Sequence, residues 1–326
     1  MTATPPGIAD IHSAAARLSG LALRTPLLES PALNERLGGR VLFKPEVLQR
    51  TGSFKFRGAY NKIASLSDAE RGRGVVAFSS GNHAQGVAAA AAMFGARAVI
   101  AMPADAPRAK TDNVRRMGAV IVAFDRFGDD RAAVVRPWME RGMVLVPPFD
   151  DPFIIAGQGT IGLELVEQAK ALDAALDAVV VPCGGGGLSS GISVAVKDVS
   201  PATEIWAVEP EHFDDTRRSL EQGKQVANRP GHTSICDSLL TAEPGAITFA
   251  INRTALAGAV AVTEDAVRHA MREAMAHLKL VVEPGGAVGL AAVLSGAIDV
   301  RGRTIAVVLS GGNVDTDAYA RIIGQS

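Results

Sequence analysis

The chain has 326 residues, 48% hydrophobic and 21% charged, with 33 Lys and Arg against 34 Asp and Glu. That length holds about two domains with a substantial core. The net charge of −1 excludes a polybasic nucleic-acid or membrane-surface binder, which needs a cationic surplus. Aromatics at 5% leave few stacking platforms for single strands, and two cysteines, Cys183 and Cys236, are too few for a disulfide scaffold or a four-cysteine zinc site.

Residues 1–11 carry neither a basic segment nor an apolar run, so no signal peptide is expected. The longest nearly unbroken apolar stretch, 86–96, is too short to span a bilayer. A reduced, cytoplasmic protein without a membrane partner is the expectation. Short β-branched runs at 75–78, 98–102, 120–124, 143–146, 178–181, 204–208, 260–262 and 304–309 read as strands. Most are continuously apolar, the pattern of strands buried on both faces of a parallel sheet. Helix-length segments fall at 84–94, 110–117, 129–141, 161–172 and 264–277. Ser67 with Glu70 fits a capping box, and Thr263 before Glu264 and Asp265 fits an N-cap with an acidic first turn. The alternation argues an α/β fold with open parallel sheets and helices on both faces. Pro147, Pro148 and Pro152 interrupt regular structure, and a second break falls near 71–74. The expected division is a discontinuous large domain, 1–73 and 152–326, and a small domain, 74–151, with a ligand cleft between them.

Two motif matches fail on context. Gly157-Gln158-Gly159-Thr160-Ile161-Gly162 matches a dinucleotide fingerprint, but no firm strand runs into its first glycine. It reads instead as a turn into the helix at 161–172. Gly187-Leu188-Ser189-Ser190-Gly191 matches a hydrolase nucleophile elbow, yet its serines fall inside the helix after a four-glycine turn.

Four other segments carry chemistry. Gly184-Gly185-Gly186-Gly187 follows a strand and opens a helix, so several backbone amides can converge on a phosphate. In Ser53-Phe54-Lys55-Phe56-Arg57-Gly58 an amine sits between aromatics and beside a cation. Both neighbours favour a lowered pKa and a nucleophilic lysine. Ser79-Ser80-Gly81-Asn82-His83 brings hydroxyls, an amide and free backbone amides to a helix start, an inventory for a carboxylate. Ser310-Gly311-Gly312-Asn313 follows a strand at the end where α/β proteins bind ligands. Lysine nucleophile, phosphate cup and carboxylate cup together suit an amino acid bound to a phosphorylated aldehyde.

With Thr51-Gly52 before the lysine motif, Gln85-Gly86 after the carboxylate motif, and Glu283-Pro284-Gly285-Gly286-Ala287, these segments run in a recognisable order. The chain resembles the fold-type II (tryptophan synthase β-like) pyridoxal-phosphate enzymes, in the branch of threonine/serine dehydratases and serine racemases. The resemblance implies pyridoxal 5'-phosphate in the large domain, carried on Lys55. It implies Phe54 beside the cofactor ring, Asn82 on the ring hydroxyl, Gly184, Gly185, Gly186 and Gly187 on the phosphate, and Ser310 on the ring nitrogen. A serine there would leave the electron sink weaker than an acid would. Ser79, Ser80, Asn82 and His83, in the small domain, match the substrate-carboxylate loop. Lys55 matches the family lysine that moves the Cα proton, and Ser80 matches the proton-exchanging residue of the racemases. Arg131 resembles a substrate-side position able to take a second carboxylate. Glu209, the carbonyl of Phe213 and Asp215 match a Mg²⁺ or Ca²⁺ site. A homodimer is implied. The sequence ends after the catalytic core, so feedback control by a C-terminal domain is not expected. The implied activity is elimination of water from L-threonine or L-serine. L-threo-3-hydroxyaspartate dehydration and serine racemisation are the alternatives.

Overall fold

A computed structural model describes residues 4–79, 81–106, 108–125 and 128–325. Among these residues, ten strands form two sheets. They are β1 (Leu28–Glu29), β2 (Arg40–Pro45), β3 (Val75–Phe78), β4 (Ala98–Pro103), β5 (Val120–Phe124), β6 (Val144–Leu145), β7 (Ala178–Pro182), β8 (Glu204–Pro210), β9 (Gly258–Val262) and β10 (Thr304–Leu309). The six-stranded sheet has the order β1-β2-β10-β7-β8-β9, and the four-stranded sheet β5-β4-β3-β6. Every one of these pairs is parallel except β1 with β2. This is the α/β class expected, and the continuously apolar runs explain it: β7 and β10 are buried along nearly their whole length. β1 and β2 have no counterpart among the expected strands. β2 reads Arg-Val-Leu-Phe-Lys-Pro, and the charged Lys44 that breaks its apolar run is buried in the structure.

The capping box of Ser67 and Glu70 forms, and the Thr263 hydroxyl accepts from the Ala266 amide at 3.1 Å. The helix expected at 161–172 is longer. It spans Pro152–Ala171, with Pro152 at its first position and the Asp151 carboxylate capping the Phe153 and Ile154 amides. The segment 157–162 is therefore helix interior and not a turn. Its glycines serve packing. A Cβ on Gly157 would lie 2.7 Å from the Arg57 carbonyl oxygen and Gly58 Cα, on the helix Lys55–Ala64. A Cβ on Gly159 would lie 2.8 Å from the Gly191 carbonyl oxygen, and one on Gly162 2.8 Å from Ala195 Cβ, both on the helix Gly187–Val199.

A buried ion network ties this helix to β2 and to the helix Lys55–Ala64. Arg57 donates to Glu46 at 2.8 and 2.9 Å and to Glu164 at 2.6 and 2.9 Å. Lys44 donates to Glu164 at 2.6 Å, to Gln168 at 2.9 Å and to the Thr25 carbonyl at 2.8 Å. Burial pushes Glu46 toward its neutral form, but Arg57 and Lys44 outweigh it and hold the carboxyl below the usual range. Stability from Glu46 is thus present at neutral pH and lost as pH falls through that lowered value. Removing one member of a desolvated pair leaves the other uncompensated. Glu46→Ala should cost about 3–5 kcal/mol in urea unfolding at pH 7, and a loss under about 1 kcal/mol would show a pair no stronger than a surface one.

Candidate active site

The lysine, the glycine run and the hydroxyl-rich strand ends meet in one cavity of about 710 Å³ between the two sheets. Phe54, Lys55, Ser79, Asn82, His83, Gly184, Gly185, Gly186, Gly187 and Ser310 all line it. Ser80 and the side chain of Arg131 lie outside the described residues.

Lys55 is the first residue of the helix Lys55–Ala64. The segment before it is fixed by the Phe54 amide donating to the Ser310 carbonyl at 3.1 Å and by a bridge between Ser53 and Gly311. The Lys55 ammonium donates to the Pro148 carbonyl at 2.6 Å and sits 5.2 Å from the centre of the Phe54 ring. Burial lowers its pKa to about 8, partly offset by Glu283. Contrary to expectation, Arg57 does not lower this pKa, because its guanidinium turns away from the cavity into the network with Glu46 and Glu164. Phe56 likewise packs into the core beneath the four-stranded sheet.

The carboxylate-type loop leaves β3. The Ser79 hydroxyl accepts from the Gly81 amide at 3.1 Å, and Asn82 begins the helix Asn82–Met93. Asn82 donates to Glu283 Oε1 at 2.5 Å and accepts from the Asn313 amide at 2.8 Å. Its orientation is thereby set from two distant parts of the chain. His83 Nε2 lies 2.8 Å from the Val146 carbonyl, so that nitrogen carries the proton. Burial, with the Lys55 charge, pushes its pKa down to about 3, and the ring is neutral at neutral pH.

Gly184 to Gly187 bridge β7 and the thirteen-residue helix Gly187–Val199, with Gly186 at φ +89°. The glycines also let neighbours close in. A Cβ on Gly185 would sit 2.5 Å from the Phe149 ring, and one on Gly184 3.2 Å from Leu239. The Ser189 and Ser190 hydroxyls donate back to the Gly186 carbonyl, so these helix serines are not free nucleophiles.

Glu209 lies on β8, the strand paired with β7, and Asp215 opens the helix Asp215–Gln222 that follows. Glu209 at the end of β8 accepts from the Thr216 and Arg217 amides at 2.8 and 2.9 Å. Burial first, and then Asp215, push Glu209 well above the carboxylate range, and burial raises Asp215 to about 7. Asp215 Oδ2 is buried with no hydrogen-bond partner among the described residues. The Phe213 amide donates to the Pro210 carbonyl at 3.1 Å in the turn between these two acids. Among the described residues no group of three His, Cys, Asp or Glu side chains is placed to hold a metal. The set read from the sequence has two carboxylates and one carbonyl.

Sequence reasoning gave no role to Glu283, Pro148 or Phe149. Their partners are too distant in the chain for spacing to reveal: Glu283 meets Asn82, Pro148 meets Lys55, and Phe149 meets Gly185. The local signals were the proline pair in 146–151, which stays out of regular structure, and the motif that Glu283 heads, which assigned it no partner.

Residues 18–311 match the model of the family described as pyridoxal-phosphate dependent enzyme. The L-threonine ammonia-lyase of Thermotoga maritima is 44% identical over 317 residues, 97% of this chain and 78% of that one. The L-threo-3-hydroxyaspartate ammonia-lyase of a Pseudomonas species is 42% identical, covering 96% and 97% of the two chains. The structure of maize serine racemase superposes with a TM-score of 0.92 at 37% identity, covering 97% and 96%. No helix among the described residues is long and apolar enough to cross a membrane. With the lysine, the glycine run and the fold all in agreement, the chain belongs to the fold-type II pyridoxal-phosphate dependent enzymes, in the branch of threonine ammonia-lyases and serine racemases.

Proposed function

We propose that the chain is an ammonia-lyase that removes water from a β-hydroxy L-amino acid of the L-threonine or L-serine type, giving a 2-oxo acid and ammonia. The observation that carries this is a desolvated lysine amine, Lys55, sharing one cavity with a four-glycine helix start. The donor set fits pyridoxal 5'-phosphate. Gly184 to Gly187 would hold its phosphate on backbone amides, with the helix dipole in support. Ser310 would hold the ring nitrogen, Asn82 the ring hydroxyl, and Phe54 would lie beside the ring. Bound there, the cofactor supplies a sink for the electrons of the breaking Cα–H bond.

The remaining work falls to side chains. The unit 74–151 carries the loop of Ser79, Ser80, Asn82 and His83, which binds the substrate carboxylate. Neutral His83 adds no charge to that loop and keeps Nδ1 as an acceptor. Lys55, in its unprotonated form, takes the Cα proton at Nζ as general base. The carbonyl of Pro148 is then within reach of the ammonium so formed.

Glu209, the Phe213 carbonyl and Asp215 would hold Mg²⁺ or Ca²⁺. Two buried carboxylates held above their usual range, one with an orphaned oxygen, fit a hard divalent ion.

Purified wild-type protein should release 2-oxo acid from L-threonine and L-serine, and Lys55→Ala should release none. Release chiefly from L-threo-3-hydroxyaspartate would transfer the assignment to that substrate and give Arg131 the second carboxylate. Chief formation of D-serine, lost in Ser80→Ala, would make the enzyme a racemase. The rate of covalent cofactor capture by the apoprotein should rise with pH, be half-maximal near pH 8 and level off above. A midpoint near that of a free lysine, about 10.4, would contradict the desolvated amine. Mg²⁺ should raise the melting temperature of wild type and leave that of Asp215→Asn unmoved; an equal rise in both would remove the cation from Asp215.

A further inference from the structure

We propose that Asp150 is a positioning residue for the glycine cradle, acting through the helix Ala246–Ala255, and that it sets affinity for the phosphate-bearing form of the cofactor. This rests on the cofactor reading above. The helix Ala246–Ala255 begins after Gly245, which has no side chain with which to cap the free amides of the first turn. Asp150, far away in sequence, takes that place. Its Oδ2 accepts from the Ala246 amide at 3.0 Å, and its Oδ1 from the Ile247 and Thr248 amides at 2.9 and 3.1 Å. A Cβ on Gly245 would collide with this carboxyl group. The glycine is therefore required by the carboxylate that arrives from outside.

The capped helix in turn grips the cradle. The Thr248 hydroxyl donates to the Gly185 carbonyl at 2.6 Å, and the Gly245 amide reaches the same oxygen at 3.3 Å. Asn252 donates to the Ser189 hydroxyl at 3.0 Å, in the first turn of the helix that the cradle opens. In a trans peptide the carbonyl and the next amide point opposite ways. Two donors fixing the Gly185 carbonyl therefore fix the Gly186 N–H, one of the cradle's amides. Asp150 also follows Pro148, which holds Lys55, and Phe149, whose ring covers Gly185. A single strap thus sets the amine and the cradle relative to each other.

The test compares pyridoxal 5'-phosphate with pyridoxal, which lacks the phosphate, by titrating apoprotein and reading the absorbance of the lysine-bound chromophore. Asp150→Ala should weaken pyridoxal phosphate about three- to thirtyfold, the range of a lost helix cap, and leave pyridoxal within about twofold. Asp150→Asn keeps one acceptor oxygen for the Ile247 and Thr248 amides and loses the one for Ala246, so it should recover only part of the loss. Thr248→Val should weaken pyridoxal phosphate alone, and the double variant with Asp150→Ala should be no weaker than the worse single one. Equal weakening of both ligands, or additive losses in the double variant, would overturn the proposal. Should Asp150→Ala fail to fold, Thr248→Val decides: selective loss of pyridoxal phosphate supports the relay, and unchanged affinity sinks it. If wild type binds neither ligand, the cofactor reading itself fails, an outcome distinct from a failure of the brace.

Discussion

The site depends on one packing constraint: three helices meet with almost nothing between their backbones. Lys55 opens one of them and the glycine run opens another. The third, Pro152–Ala171, lies against both, presenting Gly157 to the first and Gly159 and Gly162 to the second. Helix axes commonly lie about 8–10 Å apart, with the distance set by the side chains at the contact. Where those side chains are absent, the two helix starts come close and are held in register by backbone contact. Lys55 and Gly184 to Gly187, from distant parts of the chain, line one cavity.

The electrostatics follow from that closeness. Arg57, Lys44 and Glu46 are buried and Glu164 is largely so, and the four charges answer one another. Lys55, close to Arg57 in sequence, receives no such partner from the network and faces the cavity instead. Its hydrogen bond goes to a neutral carbonyl. Nearby positions on one helix thus have opposite electrostatic fates: a cation held charged by two carboxylates, and one whose pKa burial lowers to about 8.

Much of this was legible in the sequence, and the limits are physical. Buried parallel strands announce themselves as apolar runs, so β3, β4, β7 and β10 were readable. β2 was not, because Lys44 interrupts its run and is excused by partners on a helix far along the chain. Glycine was read as a turn signal, correctly at Gly186 with its positive φ and wrongly at 157–162, where absence of a side chain matters and backbone freedom does not. The motifs located most of the cavity lining. The roles of its supports, Glu283, Pro148 and Asp150, were not readable, because a hydrogen bond to a distant residue leaves no trace in local spacing.

The position of β10 bears on how the protein comes to exist. It lies between β2 and β7, pairing with Arg40–Pro45 on one side and with Ala178–Val180 on the other. Ser310 follows it directly and receives the Phe54 amide. During synthesis, β2 and β7 leave the ribosome long before the strand that joins them. The six-stranded sheet closes only when nearly the whole chain is available, and such non-local pairing is slow to form. Loading of the cofactor is then a late event in the biogenesis of the enzyme, and a nascent chain holds the key lysine without yet holding its binding site.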